Sequence, residues 1–250
     1  MLVTGASRGI GQSICVAFAK HGATVVGVAR SELAETGAAV KAAGGEFVAN
    51  NADLGTGTQK ESADVIAQIL AKTGKIDVLV NNAGIIRRAP AKDFSEADWN
   101  AVIATNLNSP FFLMQAVGKW WIETGRAKAP ETARLKLVNI ASLLSFQGGI
   151  TVPAYAASKH GIAGVTKALA NEWAKERINV NAIAPGYIAT ENTKALREDP
   201  VRNKAIGDRI PEGRWGKPED IADPVVFLAS NESDYLNGTV INVDGGWLAR

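Results

Sequence analysis

Apolar residues along this chain form two alternating kinds of run. Short, nearly continuous stretches rich in Val, Ile and Leu occupy residues 2–4, 24–29, 46–51, 76–81, 135–141, 178–184 and 239–243. Stretches of that length, apolar on successive positions, predict strands covered on both faces in a parallel sheet. Between them apolar residues recur at helical spacing, as at Ile14 and Phe18 after the first run. The alternation predicts an α/β fold: one doubly wound domain over residues 1–250, with about seven parallel strands and helices on both faces. The first run is unusually short, as if residues customary before Met1 were missing. Residues 188–214 have no strand pattern and mix charges with scattered apolar positions. An excursion of that length is either a functional loop or a solvated helix pair.

One helical stretch carries chemistry as well as packing. In Tyr155-Ala-Ala-Ser-Lys159 a phenol and an ammonium fall on the same helix face. A cation beside a phenol stabilises its phenolate and is expected to pull Tyr155 below the usual value of ~10. By itself such a pair is more often a core ring beside a solvated amine. Ile162, Thr166, Leu169 and Trp173 continue the side of Tyr155, while Ala157, Gly161, Gly164 and Ala168 fall opposite. With so few charges, this helix is deeply buried or packs on another subunit.

Three further features lie at strand ends. Thr4-Gly5-Ala6-Ser7-Arg8-Gly9-Ile10-Gly11 follows the first strand and opens the first helix, where glycines let backbone approach a pyrophosphate at a helix N-terminus. Its spacing departs from Gly-x-Gly-x-x-Gly, and a plain strand-to-helix turn stays open. Asn81-Asn82-Ala83-Gly84 ends the fourth strand, as a ligand loop or an Asx turn. Ser142 follows the fifth strand at the same sheet edge.

In this order and on these elements, the features resemble the short-chain dehydrogenase/reductase family over essentially the whole chain. Asn106, Asp53-Leu54, Pro185-Gly186 and Val243-Asp-Gly-Gly246 add to the likeness. The runs Ile85-Ile-Arg-Arg88, 141–149, 171–175, 209–216 and 244–250 resemble the branch acting on hexonic sugar acids. The resemblance implies an NAD(P)-dependent oxidoreductase that interconverts a secondary alcohol and a ketone on an acid such as 2-dehydro-3-deoxy-D-gluconate. A gluconate 5-dehydrogenase or a 3-oxoacyl-thioester reductase is the alternative within the family, and a non-catalytic dinucleotide sensor the alternative outside it.

Carried onto matching positions, the resemblance makes Tyr155 the acid/base and Lys159 its cationic partner and ribose ligand. Ser142 steadies the substrate oxygen, and Asn106 holds a water linking Lys159 to solvent. Expected cofactor contacts are Gly5, Ser7, Arg8, Ile10, Arg30, Asp53, Leu54, Asn82, Ala83, Gly84, Tyr155, Lys159, Pro185, Gly186 and Ile188. The segment 188–214 becomes a substrate lid, and the chain a homotetramer.

No acidic residue ends the second strand in Val28-Ala-Arg-Ser31, and Arg8 and Arg30 stand near the expected ribose. Guanidinium groups suit a 2′-phosphate, so NADP is expected, with NAD, the cofactor associated with the sugar-acid branch, as alternative. A substrate carboxylate would be met by Arg87 or Arg88, which are otherwise solvated or at a subunit contact. Gln147, Arg214, Trp215 and Trp247 are further substrate candidates, Trp247 by reaching a neighbour's site.

Composition narrows the partners. A net charge of +2 and the lack of a basic block argue against nucleic acid. No apolar stretch reaches ~18 residues, so no membrane is expected and the location is cytoplasmic. Neither histidine, His21 or His160, belongs to a metal-ligand cluster, and no metal is expected. The single cysteine, Cys15, reads as a packed apolar residue.

Overall fold

The computed structural model describes residues 1–128 and 134–250. Seven strands, β1 (Leu2–Thr4), β2 (Thr24–Ala29), β3 (Glu46–Asn51), β4 (Val78–Asn81), β5 (Leu135–Ile140), β6 (Ile178–Pro185) and β7 (Val240–Val243), form one sheet. Its order is β3-β2-β1-β4-β5-β6-β7, with every neighbouring pair parallel. The chain winds outward from β1 to β3, then crosses back to start β4 beside β1. Loops after β1 and β4 therefore leave the sheet in opposite directions and open a crevice at its carboxyl edge.

Side-chain alternation divides each strand between two cores. Leu2, Val26, Leu79, Leu137 and Val180 pack with α3 (Gln59–Thr73), α5 (Ser109–Glu123) and α6 (Pro153–Trp173) through Ile66, Ile69, Leu113, Val117, Ile162 and Leu169. Val3, Val25, Val80, Val138 and Ile183 pack on the other face with Ile14 and Phe18 of α1 (Gly9–Lys20), Val40 of α2 (Ala34–Ala42), and Ile221 and Val225 of α9 (Pro218–Ala229). Cys15 is fully enclosed in this second core, and burial pushes its thiol up to about 12. Doubly covered strands are why the sequence shows continuous apolar runs.

The strands depart from expectation only at their ends. Ile76 is buried but precedes the β4 ladder, which starts at Val78, and Ala141 follows β5 while still donating to the Ile183 carbonyl at 2.7 Å. Residues 188–214 include two helices, α7 (Lys194–Glu198) and α8 (Pro200–Arg209). The base of this excursion is closed by backbone bonds from Ala189 to Gly216 (2.8 Å) and from Gly216 to Tyr187 (2.9 Å). On α6, Ile162, Thr166 and Leu169 are buried, whereas Ala157, Gly164 and Ala168 are exposed. Among the described residues no helix is long and apolar enough to cross a membrane.

Candidate active site

The crevice between β1 and β4 is shaped by backbone. Gly5 and Gly9 adopt φ of +64° and +57°, in the left-handed region that favours glycine. A Cβ on Gly11 would stand 2.2 Å from the Gly5 carbonyl oxygen, so that glycine is required by contact with the turn itself. Thr4, which the motifs did not single out as a ligand-loop residue, ties the two loops. Its Oγ1 accepts from the amides of Asn82 and Ala83, both at 3.0 Å. Asn82 returns its Nδ2 to the carbonyls of Thr4 (3.0 Å) and Gly5 (3.2 Å). The Asn82 side chain therefore serves the turn, leaving the loop backbone to face the cleft.

The resulting cleft has a volume of about 1220 Å³. Gly5, Ser7, Arg8, Ile10, Arg30, Asp53, Leu54, Asn82, Ala83 and Gly84 all line it, together with Thr190, Glu191 and Asn192 from the base of the excursion. Those last three carry no motif and were not anticipated. Arg30 Nε lies 3.7 Å from Asp53 Oδ1, with the side chains 67% and 56% exposed, a screened contact that costs little to break. The same Asp53 oxygen accepts from Gly55 at 2.8 Å. A glycine cradle at a helix N-terminus, with Arg8 and Arg30 in its lining, fits a phosphorylated dinucleotide. Pro185, Gly186 and Ile188 lie at and just beyond the end of β6, and a Cβ on Gly186 would approach Asp244 Cα to 2.6 Å.

Tyr155 and Lys159 meet one turn apart on α6, with the ammonium 5.5 Å from the ring centre. Lys159 is 5% exposed, and its Nζ donates to the Ile140 carbonyl at 2.6 Å. Burial brings its pKa down to about 8. The expected depression of Tyr155 is reversed. Burial raises the phenol, opposed by a hydrogen bond with Ser142 and by the charge of Arg88. Burial outweighs both, and Lys159 directs its hydrogen bond to the end of β5 and not to the phenol.

The surrounding side chains hold this group together. Ser142 caps the short turn 143–145 by accepting from the Leu144 amide (3.2 Å), and Ser145 donates to the Lys159 carbonyl (2.6 Å). Ser145, another residue the motifs did not single out, thereby joins the Ser142 turn to α6. Asn106 lies in a π-helical turn, Ala104–Asn108, a widened turn often found at functional sites. Its Oδ1 accepts from the Ile85 amide and its Nδ2 donates to the Ile85 carbonyl, both at 2.9 Å, with Ser158 Oγ at 3.3 Å. The polar groups of the Asn106 side chain thus clamp the loop after β4. Below, Asn81 donates to Asn139 (2.9 Å), which donates to Thr166 (3.0 Å), linking both strands to α6.

The substrate candidates separate. Arg87 lines the cleft and pairs at 3.2 Å with Asp98 of α4 (Glu96–Ile103), while Arg88 has no ion pair among the described residues. The loop they share is fastened by the Ala89 amide to the carbonyl of Thr151 (3.0 Å), a residue at φ +64°. Arg214 is engaged elsewhere, donating through both terminal nitrogens to Asp220 at 2.7 and 3.2 Å. Trp215 donates to Asn203 at 2.8 Å. Trp247 packs inside its own chain, against Tyr187 with ring centres 4.7 Å apart. Gln147 faces Trp247, with 3.5 Å between Oε1 and Nε1. His160 is exposed, with Nδ1 3.0 Å from the Ala156 carbonyl, and takes no part in the site.

Residues 5–248 match the protein family described as enoyl-(acyl carrier protein) reductase. The chain is also 51% identical over 249 residues to 2-dehydro-3-deoxy-D-gluconate 5-dehydrogenase of Dickeya dadantii, covering 100% of this chain and 95% of that protein. It belongs to the short-chain dehydrogenase/reductase family. The protein of the same name from Bacillus subtilis is 50% identical over 250 residues, covering 100% of this chain and 94% of its own. A crystal structure of a gluconate 5-dehydrogenase from Burkholderia cenocepacia, in complex with NADP and tartrate, superposes with a TM-score of 0.89 at 34% identity. That match covers 100% of this chain and 94% of the other. As a family member the chain is an oxidoreductase acting at CH–OH groups.

Proposed function

We propose that this short-chain dehydrogenase/reductase uses NADP(H) to interconvert a secondary hydroxyl and a ketone on a sugar acid of the 2-dehydro-3-deoxy-D-gluconate type. The carrying observation is Arg88, a cation that acts on the Tyr155 phenol and has no ion pair among the described residues. A substrate carboxylate there would gain a guanidinium partner on the tyrosine's side of the site. The relatives at 50–51% identity are named for that substrate, and tartrate, an acid, is named with the Burkholderia structure. Arg8 and Arg30 in the cleft, with no acid ending β2, support the 2′-phosphorylated cofactor.

The roles follow from position. Tyr155 is the acid/base that moves the proton on the substrate oxygen. Ser142, its hydrogen-bond partner, stabilises charge on that oxygen as it develops. Lys159 keeps a cation on the tyrosine's helix face and lies within reach of a ribose. Asn106 and Ser145 position rather than react: one clamps the loop after β4, the other fixes the Ser142 turn to α6. When bound, the nicotinamide supplies or accepts the hydride. Residues 188–214 act as the lid over the substrate. The exposed small-residue strip of α6 supports assembly as a homotetramer through that helix. We place the enzyme in the cytoplasm, where nicotinamide dinucleotide pools are held.

The test is a substrate panel assayed with NADPH/NADP and NADH/NAD: 2-dehydro-3-deoxy-D-gluconate, gluconate, an uncharged polyol and an acetoacetyl thioester. The deoxy-keto acid with the phosphorylated cofactor should give the highest kcat/KM. Preference for the thioester would replace the reading by an acyl-thioester reductase, and tight dinucleotide binding without turnover of any substrate by a sensor.

A further inference from the structure

Trp247 is 5% exposed although it lies in the segment after β7, outside the strands and principal helices. Its ring packs against Tyr187, just past the end of β6, and the guanidinium of Arg209 sits 3.9 Å above its centre. Leu143, beside Ser142, and Ile206 and Ile210, from α8 and its end, complete a small apolar cluster around it. Its indole nitrogen is 3.5 Å from Gln147 Oε1. One side chain thus touches the excursion's second helix, the loop after β6 and the region of the Ser142 turn.

The excursion needs such a clasp. Neither α7 nor α8 buries much of itself: α7 has no buried residue and α8 has only Ile206. Most of the apolar contact available to α8 therefore comes from the aromatic cluster. A tryptophan supplies a large rigid surface with few rotatable bonds, and a guanidinium stacked on it adds attraction.

We infer that Trp247 is a positioning residue that clasps α8 to the Ser142 turn and holds Gln147 toward the substrate end of the site. This rests on the reading above that the excursion covers the substrate. Loosening the clasp should weaken contacts made by the lid and by Gln147, and so raise KM. It should spare the proton-transfer group, which Ser145 and α6 hold independently.

The experiment compares Trp247→Ala, Trp247→Phe and Arg209→Gln with the parent. Limited trypsin digestion of the free protein, well below its unfolding temperature, reports opening of the lid at Lys194, Arg197, Arg202 and Lys204. Trp247→Ala should speed cleavage at those sites about tenfold and raise the substrate KM about tenfold, with kcat within about threefold and NADPH affinity unchanged. Trp247→Phe should keep most of the protection, and Arg209→Gln should lose part of it. Unchanged lid cleavage in a folded Trp247→Ala protein overturns the inference, as does a fall in kcat at constant KM. Should Trp247→Ala not fold, lid cleavage at the parent rate in Arg209→Gln overturns it. The digestion needs no substrate, so failure of the sugar-acid reading leaves this result intact, and KM is then taken on whichever panel member is turned over.

Discussion

The two halves of the site are built by opposite means. On the dinucleotide side, shape comes from backbone: left-handed glycines, a Cβ-free contact between Gly11 and the Gly5 carbonyl, and Thr4 accepting two amides from the next loop. On the side proposed for the substrate, shape comes from side chains: the rings of Trp215 and Trp247, each in contact with Tyr187, an arginine loop fastened to Thr151, and helices with little buried surface. A backbone cradle recognises what all its ligands share, their phosphates. A side-chain wall can be revised residue by residue, and there selectivity for one substrate is free to change.

Tyr155 stands where the halves meet, and its loss should have the largest effect. Tyr155→Phe keeps the ring in place and removes the proton, so turnover should fall about 10²–10⁴-fold while NADPH affinity, read by fluorescence titration, stays at the parent value. Residual activity within tenfold would sink the assignment. Gly11→Ala tests the backbone half directly. Its Cβ would collide with a carbonyl that cannot move without reshaping the turn, so dinucleotide affinity should drop by roughly a hundredfold, well over 2 kcal/mol. Near-parent binding would mean that the cradle is softer than its contacts imply.

On the substrate side Arg88→Ala should lower kcat/KM for the acid substrate at least tenfold, the cost of a lost charge-assisted contact of about 1.5–3 kcal/mol. An uncharged ketone should be much less affected. Arg87→Ala should do less to the acid, because Arg87 is already occupied by Asp98. Equal losses on charged and uncharged substrates would make Arg88 a structural residue. A pH profile sharpens the boundary between the halves. In the proposed roles, ketone reduction needs the Tyr155 proton, held more firmly because burial raises the phenol, and the Lys159 ammonium, whose pKa burial brings down to about 8. Reductive kcat/KM should therefore be level below pH 8 and decline severalfold above it. A plateau persisting to pH 10 would show that Lys159 keeps its proton. The smallest change is expected at Gly148, after the Ser142 turn, where an added Cβ meets nothing within 4 Å. Gly148→Ala should leave both affinity and turnover near the parent values, and a large loss would show that the substrate half also depends on glycine.

The same contrast explains what could be read in advance. Strands covered on both faces write themselves as continuous apolar runs, and a turn that only glycine can make writes itself as glycine, so the sheet and the residues that line the cleft at its carboxyl edge were legible. Engagement is not written in residue type. Arg87 and Arg88 are identical neighbours, yet one pairs with Asp98 while the other acts on the phenol. Arg214, of the same residue type again, is occupied by Asp220, six positions on. Lys159 lies on the helix face that its spacing predicts, but the partner of its ammonium is a carbonyl at the end of β5, brought there by sheet order. Ser145 and Thr4 matter through hydrogen bonds to backbone that residue spacing alone does not disclose.

Cys15 gives the second core, on the α1 side of the sheet, a chemical character of its own. A thiol enclosed against Ile14 and Phe18, and pushed up to about 12, carries almost no thiolate at physiological pH. Electrophiles and peroxides react with the thiolate, so the chain's one sulfhydryl is withheld from alkylation and from the sulfenic acid ladder. An enzyme whose reaction moves electrons through a nicotinamide is in this way insulated from the thiol redox poise around it, and iodoacetamide should label it only as fast as the α1 side of the sheet opens.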